Sequence, residues 1–302
     1  MIVNLPHKKL TRFASLFSLS IALVLVGIKI WAWLLTGSIA LLTSAADGLV
    51  DVMASVVTLI GVFYAQRPAD KGHRYGHGKS EAVAAFVQAL LLGGAGLVLG
   101  IESAHRLFHP QPLMQHGLGI WVIIGSTLCA GALVTVQTFV VKRTGSTAIA
   151  ADRAHYITDI AVNLAVLCAL VFDGLFGWTR SDATGALAIS CYMIWNARGM
   201  ARSALRQLLD QELDMEDRQR IRHAAMSCEG VRGVHDIRTR NGGDRVFVEL
   251  HVEVDGQLSV DVGHDIGDAA EAAVRKLFPA AEVLAHLEPA GIADERLDDL
   301  VK

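Results

Sequence analysis

Asp47 and Asp51 stand four residues apart in the apolar run SIALLTSAADGLVDVMASVVTLIGVFY, and His155 and Asp159 four apart in AHYITDIAVNLAVLCALVF. On an α-helix, residues four apart share a face. Ionisable groups at lipid depth are costly unless they face one another, water or an ion. Three carboxylates and an imidazole supply the four ligands of a tetrahedral divalent ion. Oxygen and imidazole donors without thiolate suit Zn²⁺, Fe²⁺, Mn²⁺ or Cd²⁺ and argue against Cu⁺. One histidine among carboxylates favours Zn²⁺ or Cd²⁺ over an all-oxygen Mn²⁺ site and leaves Fe²⁺ open. With metal absent, such concentrated negative charge should draw in protons. Metal binding expels them, because ligands must be deprotonated. The quartet is therefore a physical basis for exchanging metal against protons.

The elements that must position these groups are membrane helices. Of 302 residues, 52% are hydrophobic and 19% charged, and the mean hydropathy is +0.41. That is too apolar for an ordinary soluble domain and fits an integral membrane protein with a soluble part. Six apolar segments of spanning length are expected, at about 12–35, 39–65, 81–106, 117–141, 148–176 and 182–206. The first run follows MIVNLPHKKLTR without a small-residue cleavage site and reads as a membrane helix, not a removed signal. Within it, Lys29 is expected to snorkel to the headgroups. Small residues in GGAGLVLG and ATGALAIS allow close helix packing. Asn163, one turn beyond Asp159, either lines the same path or makes an interhelical hydrogen bond.

Basic residues orient the segments. With a cytoplasmic N-terminus, the inner ends hold Lys8, Lys9, Arg12, Arg67, Lys71, Arg74, Lys79, Lys142, Arg143, Arg153, Arg198, Arg202 and Arg206. The outer ends hold only Arg106 and Arg180, so both termini are expected inside. Cys129, Cys168, Cys191 and Cys228 include no Cys-x-x-Cys and read as buried free thiols.

Charge divides the chain. Residues 1–209 carry 16 Lys/Arg and nine Asp/Glu, whereas residues 210–302 carry 11 and 21. So acidic a tail is no partner for nucleic acid, which needs a basic surface. The tail reads as an αββαβ unit of the α+β class. LDMEDRQRIRHAAMS forms a short amphipathic helix, RGVHDIRTR and DRVFVELHVEVDG strands joined at Asn241-Gly242-Gly243, DVGHDIGDAAEAAVRKLF a helix stopped by Pro279, and AEVLAHLEP a last strand. Val246, Val248, Leu250, Val252 and Val254 should face one way, and Glu249, His251 and Glu253 the other. The expected domains are thus 1–209 in the membrane, 210–290 in the cytoplasm, and a loose tail at 291–302.

Two further constellations carry ligand chemistry. Asp70, His73 and His77 lie in ADKGHRYGHGKSE between the second and third segments. They offer three metal ligands or an ordinary polar loop. In the tail, His235, His251, His264 and His286 fall at or near strand positions, and His286 and Glu288 share a strand face. These are a regulatory metal site or scattered surface imidazoles. His105, His109, His116 and His223 read as structural or surface residues.

In Asp47-Gly-Leu-Val-Asp51, His73-Arg-Tyr-Gly-His77-Gly-Lys79, His155-Tyr-x-x-Asp159, Leu209-Asp210-x-Glu-Leu213-Asp214 and His235-Asp-Ile-Arg-Thr-Arg240, the chain resembles the cation diffusion facilitators over nearly its whole length. The bacterial ferrous-iron/zinc efflux branch is the nearest in pattern. The resemblance implies a homodimer of six-helix protomers in the bacterial inner membrane, with a cytoplasmic domain like a small metallochaperone. It implies a transport site at Asp47, Asp51, His155 and Asp159, with alternating access driven by proton exchange. Asp70, His73 and His77 match the family's loop site. His235, His251 and His286 match its binuclear cytoplasmic site, and His264 a further histidine there. That site usually has Asp where this chain has Glu288. Lys79 and Asp210 match a charge pair that ties the loop to the cytoplasmic domain across the dimer.

The expected activity is export of Zn²⁺, with Cd²⁺ or Fe²⁺ as other substrates, against inward protons. An Fe²⁺ or Mn²⁺ exporter of the same family is the alternative within the class. A membrane metal sensor or scaffold that transports nothing would use the same tail site, but it needs no carboxylates at mid-membrane. An enzyme using a membrane zinc is disfavoured, because there is no His-Glu-x-x-His and no spare acid beside the quartet to act as base.

Overall fold

Long runs of Leu, Ile, Val and Ala with few charges fold into helices whose backbone groups bond internally, as lipid demands. A computed structural model describes residues 7–37, 39–109, 117–176, 181–291 and 300. His116, Arg180 and the expected loose tail, apart from residues 291 and 300, lie outside them. The helices are α1 (His7–Thr36), α2 (Ile39–Ala65), α3 (Ser80–Phe108), α4 (Gly117–Thr144), α5 (Thr147–Phe176) and α6 (Ser181–Leu208). α1 and α4 overrun their apolar cores by about a turn of basic residues, Lys8, Lys9 and Arg12 in one and Lys142 and Arg143 in the other. Hydrogen bonding continues both helices past their apolar runs, and at the C-terminal turn of α4 the cations also suit the helix dipole.

Among the described residues, four helices, α1 to α4, are long and apolar enough to cross a membrane by length and composition. α5 and α6 are comparably long, at 30 and 28 residues. α5 carries Asp152, Arg153 and Asp159, and α6 carries Arg198, Arg202 and Arg206. Small residues bring α3 and α6 together. Ser190 Oγ donates to the Gly96 carbonyl at 2.8 Å, and a Cβ at Gly100 would sit 2.5 Å from Ser190 Oγ. Trp31, Ile101, Trp121 and Trp195 point outward. So do Cys129, Cys168 and Cys191, which corrects the expectation of buried thiols. An apolar helix run signals contact with lipid as readily as burial in protein. Asn163 Nδ2 reaches Ser126 Oγ of α4 at 3.5 Å, the interhelical alternative.

The chain divides into two compact units, one holding residues up to Arg67 and Ser80–Leu205, the other Pro68–Lys79 and the chain from Arg206 on. In the second unit, α7 (Met215–Met226), β1 (Gly233–Asn241), β2 (Val246–Val254), α8 (Val260–Leu277) and β3 (Glu282–Pro289) follow the αββαβ order. β1 pairs antiparallel with β2, and β2 parallel with β3. Val248, Leu250, Val252 and Val254 face the core with Ile221, Ala225, Ala270 and Val274 of the two helices. Glu249, His251 and Glu253 alternate to the other face. A bulge interrupts β1, because His235 opposes His251 while Arg238 opposes Glu249. Asp236 takes a φ of 48° there. The extra residue lets Val234 and Ile237 both enter the core and keeps His235 on the face of His251.

Loop residues 68–79 pack on the β1–β2 turn within this unit. Tyr75 meets Phe247 edge-on at 5.3 Å, and the Arg240 guanidinium lies 4.4 Å from the centre of the Tyr75 ring. A Cβ on Gly78 would come within 2.2 Å of the Gly242 carbonyl oxygen, so only glycine permits this backbone approach.

Candidate metal centres

α2 and α5 carry the chemistry of the first unit. His155 Nε2 lies 3.0 Å from Asp51 Oδ1 and 3.8 Å from Asp159 Oδ2. Ligand atoms of all three residues fall within 4.8 Å of one another. Two ligands of a tetrahedral zinc with bonds near 2.05 Å stand roughly 3.3 Å apart. The observed separations straddle that edge. Asp47 is not drawn into this group. It sits one turn back on α2, about 6 Å along the axis, and is exposed. Lys29 does not reach away from the bundle as expected. A Cβ at Gly48 would stand 3.7 Å from its Nζ and 2.7 Å from Val26 Cγ2, so the ammonium lies against α2 at Gly48.

One acid escaped the sequence reading. Asp152, three residues before His155 and hence on the same side of α5, is fully buried. The expectation that no further acid stands near the quartet is therefore corrected. The signal was present as the i, i+3 spacing to His155 and as Ser18, Gln88 and Gln137 in otherwise apolar runs.

In the second unit, the loop residues converge. Asp70 Oδ1 accepts the backbone N–H of His73 at 2.7 Å and of Gly72 at 2.8 Å, closing an Asx turn. The His73 N–H first, and then that of Gly72, hold the Asp70 carboxyl below the usual carboxylate range. His73 Nδ1 is 3.3 Å from Oδ1, and His77 Nε2 is 3.4 Å from Oδ2. Both match the edge of a zinc tetrahedron. His77 is buried, while Asp70 and His73 are exposed.

The three strands place His235, His251 and His286 in one row across the sheet, with Glu253 and Glu288 paired in the row two residues on. Glu288 spans two imidazoles, with Oε1 2.5 Å from His235 Nε2 and Oε2 3.3 Å from His251 Nδ1. Its longer arm thus reaches both. The His286 ring lies 4.8 Å from that of His251. Glu253 Oε1, 3.8 Å from His235 Nε2, is an additional acid at this site. His264 is different. It belongs to α8, not to a strand, is 71% exposed and lies 3.6 Å from Asp268 one turn on. Helical periodicity, not strand alternation, sets where it points. Lys79 Nζ meets Asp210 Oδ1 at 2.7 Å within a single chain, and Arg240 Nη1 approaches Asp210 Oδ2 at 3.7 Å.

The sequence matches the cation efflux transmembrane domain over residues 15–209 and the cation efflux protein cytoplasmic domain over residues 213–290. It is 37% identical over 290 residues to the cation-efflux pump FieF of Shigella boydii serotype 18, with 96% of each chain covered. The same figures hold for FieF of Escherichia coli K12. Among solved structures, it is similar to the copper form of the MamM CTD, with 32% identity, a TM-score of 0.25, and coverage of 27% of this chain and 91% of that one. A MamM CTD variant in its nickel form matches at 30% identity and a TM-score of 0.24, covering 25% of this chain and 98% of that one. With both halves matched and the likeness to FieF running almost end to end, this membrane protein belongs to the cation efflux, or cation diffusion facilitator, family.

Proposed function

We propose that the protein exports a divalent metal cation from the cytoplasm in exchange for protons, with Zn²⁺ as the foremost substrate and Cd²⁺ or Fe²⁺ as others. The observation that carries this reading is the approach of Asp51, His155 and Asp159 on two neighbouring helices of the first unit. Carboxylate and imidazole hold the cation after losing their protons. Protons arriving from the opposite side compete for the same atoms and release it. Asp47, one turn away, completes the ligand set if α2 turns. Alternating access then amounts to exposing this cluster to each side of the membrane in turn.

Six spans, cytoplasmic termini and a bacterial inner-membrane location complete the reading, supported by the basic residues at alternate segment ends. The protein acts as a homodimer. The loop cluster at Asp70, His73 and His77 handles metal outside the membrane span. The row of His235, His251 and His286 with Glu288 binds cytoplasmic metal, with His264 as a further donor, and biases the transporter toward one conformation by population shift. Lys79 and Asp210 tie the loop to that domain.

The test is uptake of Zn²⁺, Cd²⁺, Fe²⁺ and Mn²⁺ into proteoliposomes with a pH gradient on and off. Wild type should accumulate Zn²⁺ faster with the gradient, and Asp51→Ala or Asp159→Ala should abolish uptake. Retained uptake in either variant, or a rate indifferent to the gradient, would refute this mechanism.

A further inference from the structure

Asp152 anchors a second polar cluster, on the side of His155 that leads to the Thr147 end of α5 and the Ala65 end of α2. Its Oδ2 accepts from Ser18 Oγ at 2.6 Å and from Gln137 Nε2 at 2.7 Å. Its Oδ1 accepts from Gln88 Nε2 at 3.4 Å. Ser18 Oγ lies 3.1 Å from Ser55 Oγ, which lies 3.1 Å from Tyr156 Oη. Gln88 Nε2 also donates to the Ala54 carbonyl and to Thr58 Oγ1, both at 2.8 Å. Residues from α1, α2, α3, α4 and α5 thus meet at one point, and Ser18, Ser55, Thr58, Gln88, Gln137 and Asp152 are all fully buried.

Two features set this cluster apart from a plain structural clamp. The first is a buried carboxylate held only by neutral donors among the described residues. The second is that Gln88 Oε1 and Gln137 Oε1 are buried with no hydrogen-bond partner among the described residues. Unpaired buried acceptors are costly, and a clamp has no use for them. A cation beside Asp152 would offset its charge and take the amide oxygen of Gln137, whose Nε2 bonds only to Asp152 among the described residues. Each glutamine amide has nearly equivalent shapes on turning its terminal torsion by a half-circle, which exchanges nitrogen for oxygen. Without a cation, the amides present N–H to the carboxylate. With one, Gln137 presents oxygen to the ion alongside Asp152, Ser18 and Ser55, while the Ala54 carbonyl and Thr58 keep the Gln88 amide as it is.

We propose that Asp152 and Gln137, with Ser18 and Ser55, form an oxygen-only way station for the transported divalent cation, next to the His155 cluster on its Ala65–Thr147 side. The inference rests on the transport reading, under which that side faces the cytoplasm. One carboxylate and neutral oxygens bind a divalent ion more weakly than imidazole with two carboxylates. The cation therefore moves from a weak site to a stronger one, as passage requires.

The experiment counts bound Cd²⁺ and measures Cd²⁺ flux with the full-length protein at neutral pH. Gln137→Glu adds a second carboxylate and should turn the way station into a trap. It should hold one more Cd²⁺ per protomer than wild type and transport at least tenfold more slowly. Gln137→Leu removes the amide oxygen and should slow transport at least tenfold while Cd²⁺ affinity at the His155 cluster stays within twofold. Absence of the extra equivalent in Gln137→Glu overturns the way station whatever the rate. So does a Gln137→Leu variant that transports at the wild-type rate, or one whose Cd²⁺ affinity falls in step with its rate, which marks a clamp. If Gln137→Glu does not fold, Gln88→Glu makes the same count from α3. A wild type that moves no metal, yet gains the extra equivalent on substitution, defeats the transport reading and spares the site.

Discussion

Replacing Glu288 tests the cytoplasmic cluster at its narrowest point. Its carboxylate is the group shared by two imidazoles, at 2.5 Å from His235 and 3.3 Å from His251, and it is only 16% exposed. Glu288→Gln keeps the volume and reach but removes the charge. A hydrogen bond or ligand contact to a charged group is worth about 1.5–3 kcal/mol, and each 1.4 kcal/mol is about tenfold in affinity. Loss of one such interaction should weaken Zn²⁺ binding there by about ten- to a hundredfold. Glu288→Asp keeps the charge but shortens the arm by one methylene, about 1.5 Å. It cannot reach both imidazoles from the same backbone position, so it should fall between wild type and Glu288→Gln. The assay is competition with a chromophoric chelator on the full chain carrying Asp159→Asn, which removes the membrane cluster from the titration. Affinity within twofold of the parent in Glu288→Gln would refute the ligand role. Tighter binding in Glu288→Asp would show that the carboxylate serves one imidazole only.

Gly78→Ala should pry the loop from the hairpin, because its Cβ would meet the Gly242 carbonyl at 2.2 Å and Asp244 N at 3.0 Å, backbone atoms that cannot swing aside. Overpacking of this kind costs about 1–3 kcal/mol, so proteolysis at residues 68–79 should rise at least about fivefold, and an unchanged cleavage rate would count against the packing. The depressed Asp70 carboxyl makes a pH prediction with a definite sign. A carboxylate lowered by folding stabilises above its unfolded pKa, near 3.9, and loses that contribution only as pH falls through its own lower value. The Gly72 and His73 amide signals should therefore hold their hydrogen-bonded positions down through the ordinary aspartate range, and a midpoint at the unfolded value would contradict the Asx turn.

The Leu, Ile and Val runs made the helices legible with end errors of a few residues, because a backbone in lipid has few choices. The ends missed were basic turns, where hydrogen bonding extends the helix beyond the apolar run. Alternation along 246–254 likewise gave the two faces of β2 directly. The cysteines misled, since hydropathy cannot tell a lipid-facing position from one packed in protein. Asp152 was hidden for a related reason. A single acid in an apolar run says nothing of its partners until Ser18, Gln88 and Gln137 arrive from three other helices.

What the chain determined alone was type and local spacing: Asp51 on α2, His155 and Asp159 one turn apart on α5, and the order of strands and helices in the tail. Tertiary structure decided which of these meet. It left Asp47 a turn away and turned Lys29 toward α2. Across β1, simple alternation puts His235 with Ile237, on the core side. The bulge at Asp236 adds a residue, cancels that parity and returns His235 to the row of His251 and His286. Local periodicity is encoded residue by residue, whereas a bulge is chosen only when two strands must each satisfy a core on one face and polar groups on the other.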